Sequence, residues 1–237
     1  MNRYIKALLT KHKKKSLPQC LKNTWFDEWM SYGYITFISA FIFQGMLYAN
    51  WRENVIKIAL DIIIGGVFFL FLPWYLAALI AHSMNFCLNG QFLCVFYHID
   101  AGNNTPQKFL ACTEDLKNRI ENTDAIIAAI AYGSLSKGKW RPSSDIDMRF
   151  IPGRGEWAFW RACFWAVKAR AIAFFKAFPL DMFVTTMNMA YKQMNKDEMP
   201  IIFKDTECVS ESFYQHSMSY DEFGELFIHT HINGKMD

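Results

Sequence analysis

Residues 62–80 read Ile-Ile-Ile-Gly-Gly-Val-Phe-Phe-Leu-Phe-Leu-Pro-Trp-Tyr-Leu-Ala-Ala-Leu-Ile, about 19 residues without a charged side chain. A helix of that length matches the hydrocarbon thickness of a bilayer, so this run limits the chain to a membrane segment or a deeply buried core helix. A second uncharged run over residues 32–49 is roughly 18 residues long. Two such runs joined by a short polar loop, residues 50–61, predict a two-helix transmembrane hairpin over residues 32–82. Trp25, Trp29, Tyr32, Tyr48 and Trp51 flank the first run as interfacial aromatics do, and Pro73 predicts a kink in the second. The alternative is a pair of buried helices in a soluble domain. A cleavable signal peptide fits less well, because the apolar run starts late and lacks a small-residue cleavage site.

Charge placement gives the hairpin a direction. The net charge is only +3, yet Arg3, Lys6, Lys11, Lys13, Lys14, Lys15 and Lys22 crowd the start of the chain. By the positive-inside rule the basic segment 1–31 lies in the cytoplasm, because Arg52 and Lys57 are the only cations of the intervening loop. A hairpin returns the C-terminal part to the same side, so the expected location is a multi-pass protein of the inner, cytoplasmic membrane. A composition of 52% hydrophobic and 17% aromatic residues agrees with partial immersion in lipid and excludes extensive disorder. Residues 83–104 connect the hairpin to the rest. Within them residues 86–99 are too short to span, and Asn89-Gly90 is a turn signal, which predicts a strand pair or an interfacial segment. The six cysteines show neither Cys-x-x-Cys pairs nor metal spacing with histidine, and His229 and His231 read as a surface or strand-edge pair.

From residue 105 the pattern alternates. A charged helix over 106–122 precedes a short apolar strand over 125–132, a Gly/Ser/Lys loop and a second strand over 146–151. A long aromatic helix over 155–178 and a third strand over 180–186 follow, with Pro179 breaking the helix. Interleaved helices and strands predict an α/β (α+β) domain over 105–237, a small mixed sheet flanked by helices. The aromatic helix carries Trp157, Trp160, Phe164 and Phe175 among Arg161, Lys168 and Arg170. It is expected to pack on the sheet with an outer face near lipid headgroups.

Asp145 and Asp147 stand two apart in an extended segment, which places both side chains on one face of a sheet. Two carboxylates held together favour a cation. Asp181 opens the next apolar strand and would complete a cluster of three if that strand lies beside the second. Hard oxygen ligands of this kind suit Mg²⁺, and two such ions suit a phosphoryl displacement. The loop Gly133-Ser134-Leu135-Ser136-Lys137-Gly138-Lys139 adds backbone N–H groups, hydroxyls and cations, the groups that a polyphosphate requires.

Tyr132-Gly133-Ser134, the glycine four residues after Ser134, Ser144-Asp145-Ile146-Asp147 and a strand-borne Asp181 together resemble the DNA polymerase beta-type nucleotidyltransferase superfamily, particularly its minimal members. The resemblance covers residues 106–205, and the Ile-Ile-Phe-Lys-Asp run at 201–205 looks like the closing strand of such domains. It implies that Asp145, Asp147 and Asp181 bind two Mg²⁺ ions, with Asp181 also helping to activate an acceptor hydroxyl. It implies that Gly133, Ser134, Lys137 and Ser144 hold the nucleotide, although Lys137 stands where many minimal members have arginine. The reaction implied is transfer of a nucleoside monophosphate from a nucleoside triphosphate such as ATP to an acceptor. No second domain for gripping RNA or DNA is recognisable after Asp205, so long nucleic acid is an unexpected acceptor. The hairpin points instead to the bilayer, and to an envelope glycan or a lipid-linked molecule. A defence-type protein adenylyltransferase and a non-catalytic, nucleotide-sensing membrane assembly protein remain open alternatives.

Overall fold

The computed structural model describes residues 8–9, 32–89, 91–99, 102–195 and 197–235. The basic segment 1–31 therefore lies outside the described residues apart from Leu8 and Leu9, as do Trp25, Trp29 and Gly90. In chain order the elements are α1 (Gly33–Phe43), α2 (Trp51–Phe69), α3 (Trp74–Leu88), α4 (Gln91–His98), α5 (Pro106–Glu121), β1 (Ile126–Tyr132), β2 (Ile146–Pro152) and α6 (Glu156–Phe175). They continue with β3 (Leu180–Val184), α7 (Met187–Gln193), β4 (Ile201–Asp205), β5 (Met218–Ser219) and α8 (Tyr220–Phe227).

The C-terminal part is a mixed α/β unit around a five-stranded sheet of order β3-β2-β1-β4-β5. β1 runs antiparallel to β2 and β4, while β2–β3 and β4–β5 are parallel pairs. Local chemistry sets the boundaries. Thr105 caps α5 by accepting from Lys108 N–H, with Pro106 at the first helical position, where a missing N–H costs nothing. Ser219 and Glu222 form a reciprocal capping box at the start of α8. One face of the sheet is apolar. Ile146, Met148, Phe150, Leu180, Met182, Val184, Ile201 and Phe203 pack there against Phe109, Leu116 and Ile120 of α5, the small residues Ala162, Cys163, Ala166 and Ala169 of α6, and Tyr220, Phe223 and Phe227 of α8. The small residues let α6 sit close to the strands. They leave Trp157, Phe164 and Phe175 on its outer side, each more than half exposed.

The N-terminal part differs from the expected hairpin. The first apolar run makes only the 11-residue α1, which stops where Gln44 and Gly45 both take positive φ. The second run is not one span, because α2 ends at Phe69 and α3 begins after Pro73. Proline cannot donate the backbone hydrogen bond a continuous helix needs, so it breaks the run where a kink was expected. The hairpin present is thus α2–α3, turning at residues 70–73, and the segment read as a polar loop is the first half of α2. No single described helix is long and apolar enough to cross a membrane. α3 and the segment Phe92–His98 reach that length only together, with a 64° bend between them. The described part of residues 86–99 is the end of α3, a turn at Asn89, α4 and a turn at Ile99, not a strand pair. A short apolar run without strict alternation fits either period, and helix won here because Phe86, Phe92 and Phe96 cluster with Phe37 of α1.

A polar cluster ties the three first helices together. Asp61 accepts from Asn85 Nδ2 at 2.9 Å and faces His82 Nδ1 at 3.0 Å, Gln44 Nε2 donates to the His82 carbonyl at 2.8 Å, and Lys57 Nζ donates to the Gln44 carbonyl at 2.8 Å. This network holds Gln44 in its left-handed conformation, which otherwise favours glycine. Burial, with a smaller push from Arg170, lowers the Lys57 pKa to about 7. Its pKa in the unfolded chain is about 10.4, so between these values the unfolded state binds more protons and stability rises with pH. Urea unfolding between pH 7 and pH 10 is therefore expected to show rising stability. Lys57→Met should flatten that rise, and an unchanged slope in the variant would reject the assignment.

β3 is an edge strand, and its outer edge is closed by α2. Asn50 caps α2 by accepting from Arg52 N–H and Glu53 N–H, and its own Nδ2 donates to the Val184 carbonyl at 2.7 Å. Glu53 Oε2 accepts from Val184 N–H at 3.1 Å, while its other oxygen pairs with Arg170, whose Nη1 also donates to the Met182 carbonyl at 2.8 Å. Both side chains of the Glu53–Arg170 pair are 0% exposed. An exposed strand edge is a template for aggregation; here a helix N-terminus and a buried ion pair cover it.

Candidate functional site

The geometry begins with strand register. Asp147 and Asp181 are Cα partners in the parallel β2–β3 ladder, and Tyr132 at the end of β1 pairs with Asp147 on its other side. Their strand neighbours Ile146, Met148, Leu180 and Met182 point into the helix-covered core, so the two carboxylates share the opposite face. Asp147 and Asp181 are half-buried there. Asp145 is half-buried as well, one residue before β2, so the strand ladder pairs Asp147 with Asp181 and does not include Asp145.

Gly133 follows Tyr132 with φ +87°, a conformation that disfavours any side chain. A methyl group there would overlap the Asp147 carboxylate oxygen and press within 3.3 Å of its Cγ. The backbone of the loop thus approaches the carboxylate as closely as it can. Gly138 offers a matched control, since its φ is +64° and nothing lies within 4 Å of an added methyl. Gly133→Ala and Gly138→Ala should each lose about 1–2 kcal/mol to backbone strain. Gly133→Ala is expected to lose more by urea unfolding, and equal losses would mean that the Asp147 contact is unimportant.

Beyond Gly133 the chain makes a single 3₁₀ turn, Leu135–Lys137. Ser136 Oγ donates to the Gly133 carbonyl at 2.9 Å, and Lys139 N–H donates to the Ser134 carbonyl at 2.9 Å, which closes the loop on itself. Ser134 is exposed at its rim. Ser144 is buried, its Oγ accepting from Arg141 N–H at 2.9 Å, so it shapes the approach to Asp145. Lys137 Nζ contacts Asp197 Oδ2 at 2.9 Å and Glu198 Oε1 at 3.4 Å. The hydrogen bond that Lys137 donates to Asp197 does most to hold its pKa above the usual lysine value.

Two neighbours on the same face carry no motif. Arg149, two residues after Asp147, lies with its guanidinium 4.7 Å from the Tyr132 ring and 5.1 Å from the Phe183 ring, donating through Nε to Gln193 Oε1 at 2.9 Å. The alternation of β2 places it on the face of Asp147, a signal present in the sequence. Tyr132 Oη is buried and has no hydrogen-bond partner among the described residues. Burial raises its pKa, and Arg149, Asp147, Asp181 and Glu198 all act on it electrostatically, so it sits among them. An orphaned buried hydroxyl beside carboxylates is a position for a ligand atom or an ordered water.

Among the described residues no three His, Cys, Asp or Glu side chains converge as a metal-holding group. The side chains brought together are hard oxygen donors: the in-register Asp147–Asp181 pair, with a glycine backbone pressed against one carboxylate. Mg²⁺ is a cation that takes such donors, one or two carboxylates with water and phosphate oxygens in its remaining positions. No protein-family model, no curated protein and no solved structure matches the chain.

Proposed function

We propose that the chain is a Mg²⁺-dependent nucleotidyltransferase held at a membrane, with its sheet domain on the cytoplasmic side where nucleoside triphosphates are found. The observation that carries this reading is the in-register Asp147–Asp181 pair with the Gly133 backbone pressed against it. In this reading Asp145, Asp147 and Asp181 hold the metal, which supplies charge neutralisation on the phosphates. Gly133, Ser134, Lys137 and Ser144 position the triphosphate. An acceptor oxygen bonds to the α-phosphorus, the bond from that phosphorus to the bridging oxygen breaks, and pyrophosphate leaves with the electron pair. Asp181 accepts the hydroxyl proton or orients the acceptor that loses it. Lys137 exchanges its Asp197 and Glu198 contacts for phosphate oxygens.

The acceptor we propose is membrane-associated, an envelope glycan or a lipid-linked molecule. The support is the exposure of the α2–α3 hairpin, where nearly every residue from 62 to 80 is at least partly exposed. Triphosphates labelled at the α-phosphate, incubated with the protein in its native membrane and Mg²⁺, test both parts. Label is expected to move to a membrane acceptor, whereas label from the γ-position should appear in pyrophosphate. Label on a protein partner would favour an adenylyltransferase of the defence type. Mg²⁺-dependent nucleotide binding with no transfer would favour the non-catalytic reading.

A further inference from the structure

Within residues 62–80 only Ala77 is buried. Ile62 is 69% exposed, Leu70 75%, Phe71 79% and Trp74 72%, and the exposed positions lie on all sides of the hairpin instead of along one stripe. A face that docks on another protein is one-sided and rimmed with polar groups; an element apolar all round is built for lipid. Its length then decides the mode of insertion. From Asp61, where the polar cluster begins, to the turn at residues 70–73 the helix advances by about 15 Å, half of the hydrocarbon thickness.

Direction follows from the contacts at the hairpin's root. On β3, Glu53 binds Val184 N–H, whereas Lys57, one turn later, lies 5.6 Å from the Phe183 ring and interacts with the charge of Asp181. α2 therefore runs along β3 from its Val184 end toward its Asp181 end and continues beyond it. The strand register puts Gly133, Asp147 and Asp181 at that same end of the sheet, with Asp205 at the opposite one.

We infer that the α2–α3 hairpin is a wedge that enters one leaflet of a bilayer without crossing it, and that it turns the carboxylate end of the sheet toward the lipid headgroups. Insertion and orientation rest on the membrane part of the proposed function alone, and the acceptor that follows from them rests also on its chemistry. A wedge makes the acceptor an interfacial one: a hydroxyl carried on a lipid headgroup reaches the Asp181 end of the sheet without leaving the membrane surface.

The test uses the full chain added to phosphatidylcholine vesicles, neutral so that the basic N-terminal segment contributes little. Flotation is expected to persist in high salt, and Phe71→Asp should weaken partition about a hundredfold, the effect of a charge in hydrocarbon. Phe71 is largely exposed, so an unchanged thermal midpoint separates lost insertion from lost folding. Phe71→Cys should resist an impermeant maleimide both outside the vesicles and trapped in their lumen, while the exposed Cys208 is labelled from outside. Labelling from the lumen would mean a crossing hairpin and overturn the wedge while leaving the membrane reading intact. Absence of flotation would remove both, and nucleotide transfer would still report on the chemistry. For orientation, a dye on Lys139→Cys, in the loop that leaves β1 at the carboxylate end, should transfer energy to headgroup-labelled lipid more efficiently than one on Cys208 at the far end of the sheet. The reverse order would overturn the orientation.

Discussion

Asp147→Ala is expected to abolish transfer from an α-labelled triphosphate, a loss of about a thousandfold or more, as when a group acting on the transferring phosphate is removed. Asp147 sits between Tyr132 and Asp181 and is the carboxylate against which Gly133 is pressed, so its loss removes the centre of the arrangement. Asp181→Asn keeps the shape of the side chain and removes its charge. It should also lose transfer, while binding of nucleotide without Mg²⁺ changes little. Melting curves for both variants should stay within a few degrees of wild type, since neither carboxylate is buried in the core. Full transfer in Asp147→Ala would end the nucleotidyltransferase reading.

The parts of this site that share a strand or a loop were legible in the sequence. Pro179 and the apolar run after it located β3, whereas Asp145, expected to share the strand with Asp147, falls one residue before it. The 201–205 strand appears with the expected bounds. Contacts made over long sequence distances were not legible. Lys137 meets Asp197 and Glu198 about sixty residues later, and no local pattern encodes that approach. The N-terminal third was harder still. A run of uncharged residues says that a segment is apolar, but not where it turns. The end of α1 depends on Gln44 being held by His82 and Lys57, groups that meet it only in the folded chain. The charged residues of the supposed loop proved to be the part of α2 that grips β3, because Glu53 finds Arg170 more than a hundred residues away.

That grip carries the second large effect. Glu53→Ala should destabilise the fold by about 3–5 kcal/mol, because it leaves the Arg170 guanidinium charged, buried and without its carboxylate. It also strips Val184 N–H of its acceptor. Against the roughly 5–15 kcal/mol that holds a typical domain together, such a loss is enough to unfold a substantial fraction of the protein at physiological temperature. The cost belongs to the abandoned charge more than to the bond, which a double variant can show. Glu53→Met combined with Arg170→Met removes both charges and replaces them with apolar side chains, and it should recover most of the stability lost in the single variant. Urea midpoints for the two single variants and the double one measure the coupling directly. If the losses simply add, Glu53 and Arg170 contribute independently, each through its own bond to the β3 backbone. If the double variant recovers, the cost in each single variant is that of an abandoned buried charge, and apolar side chains fasten the hairpin to the strand that carries Asp181 as well as the ion pair does.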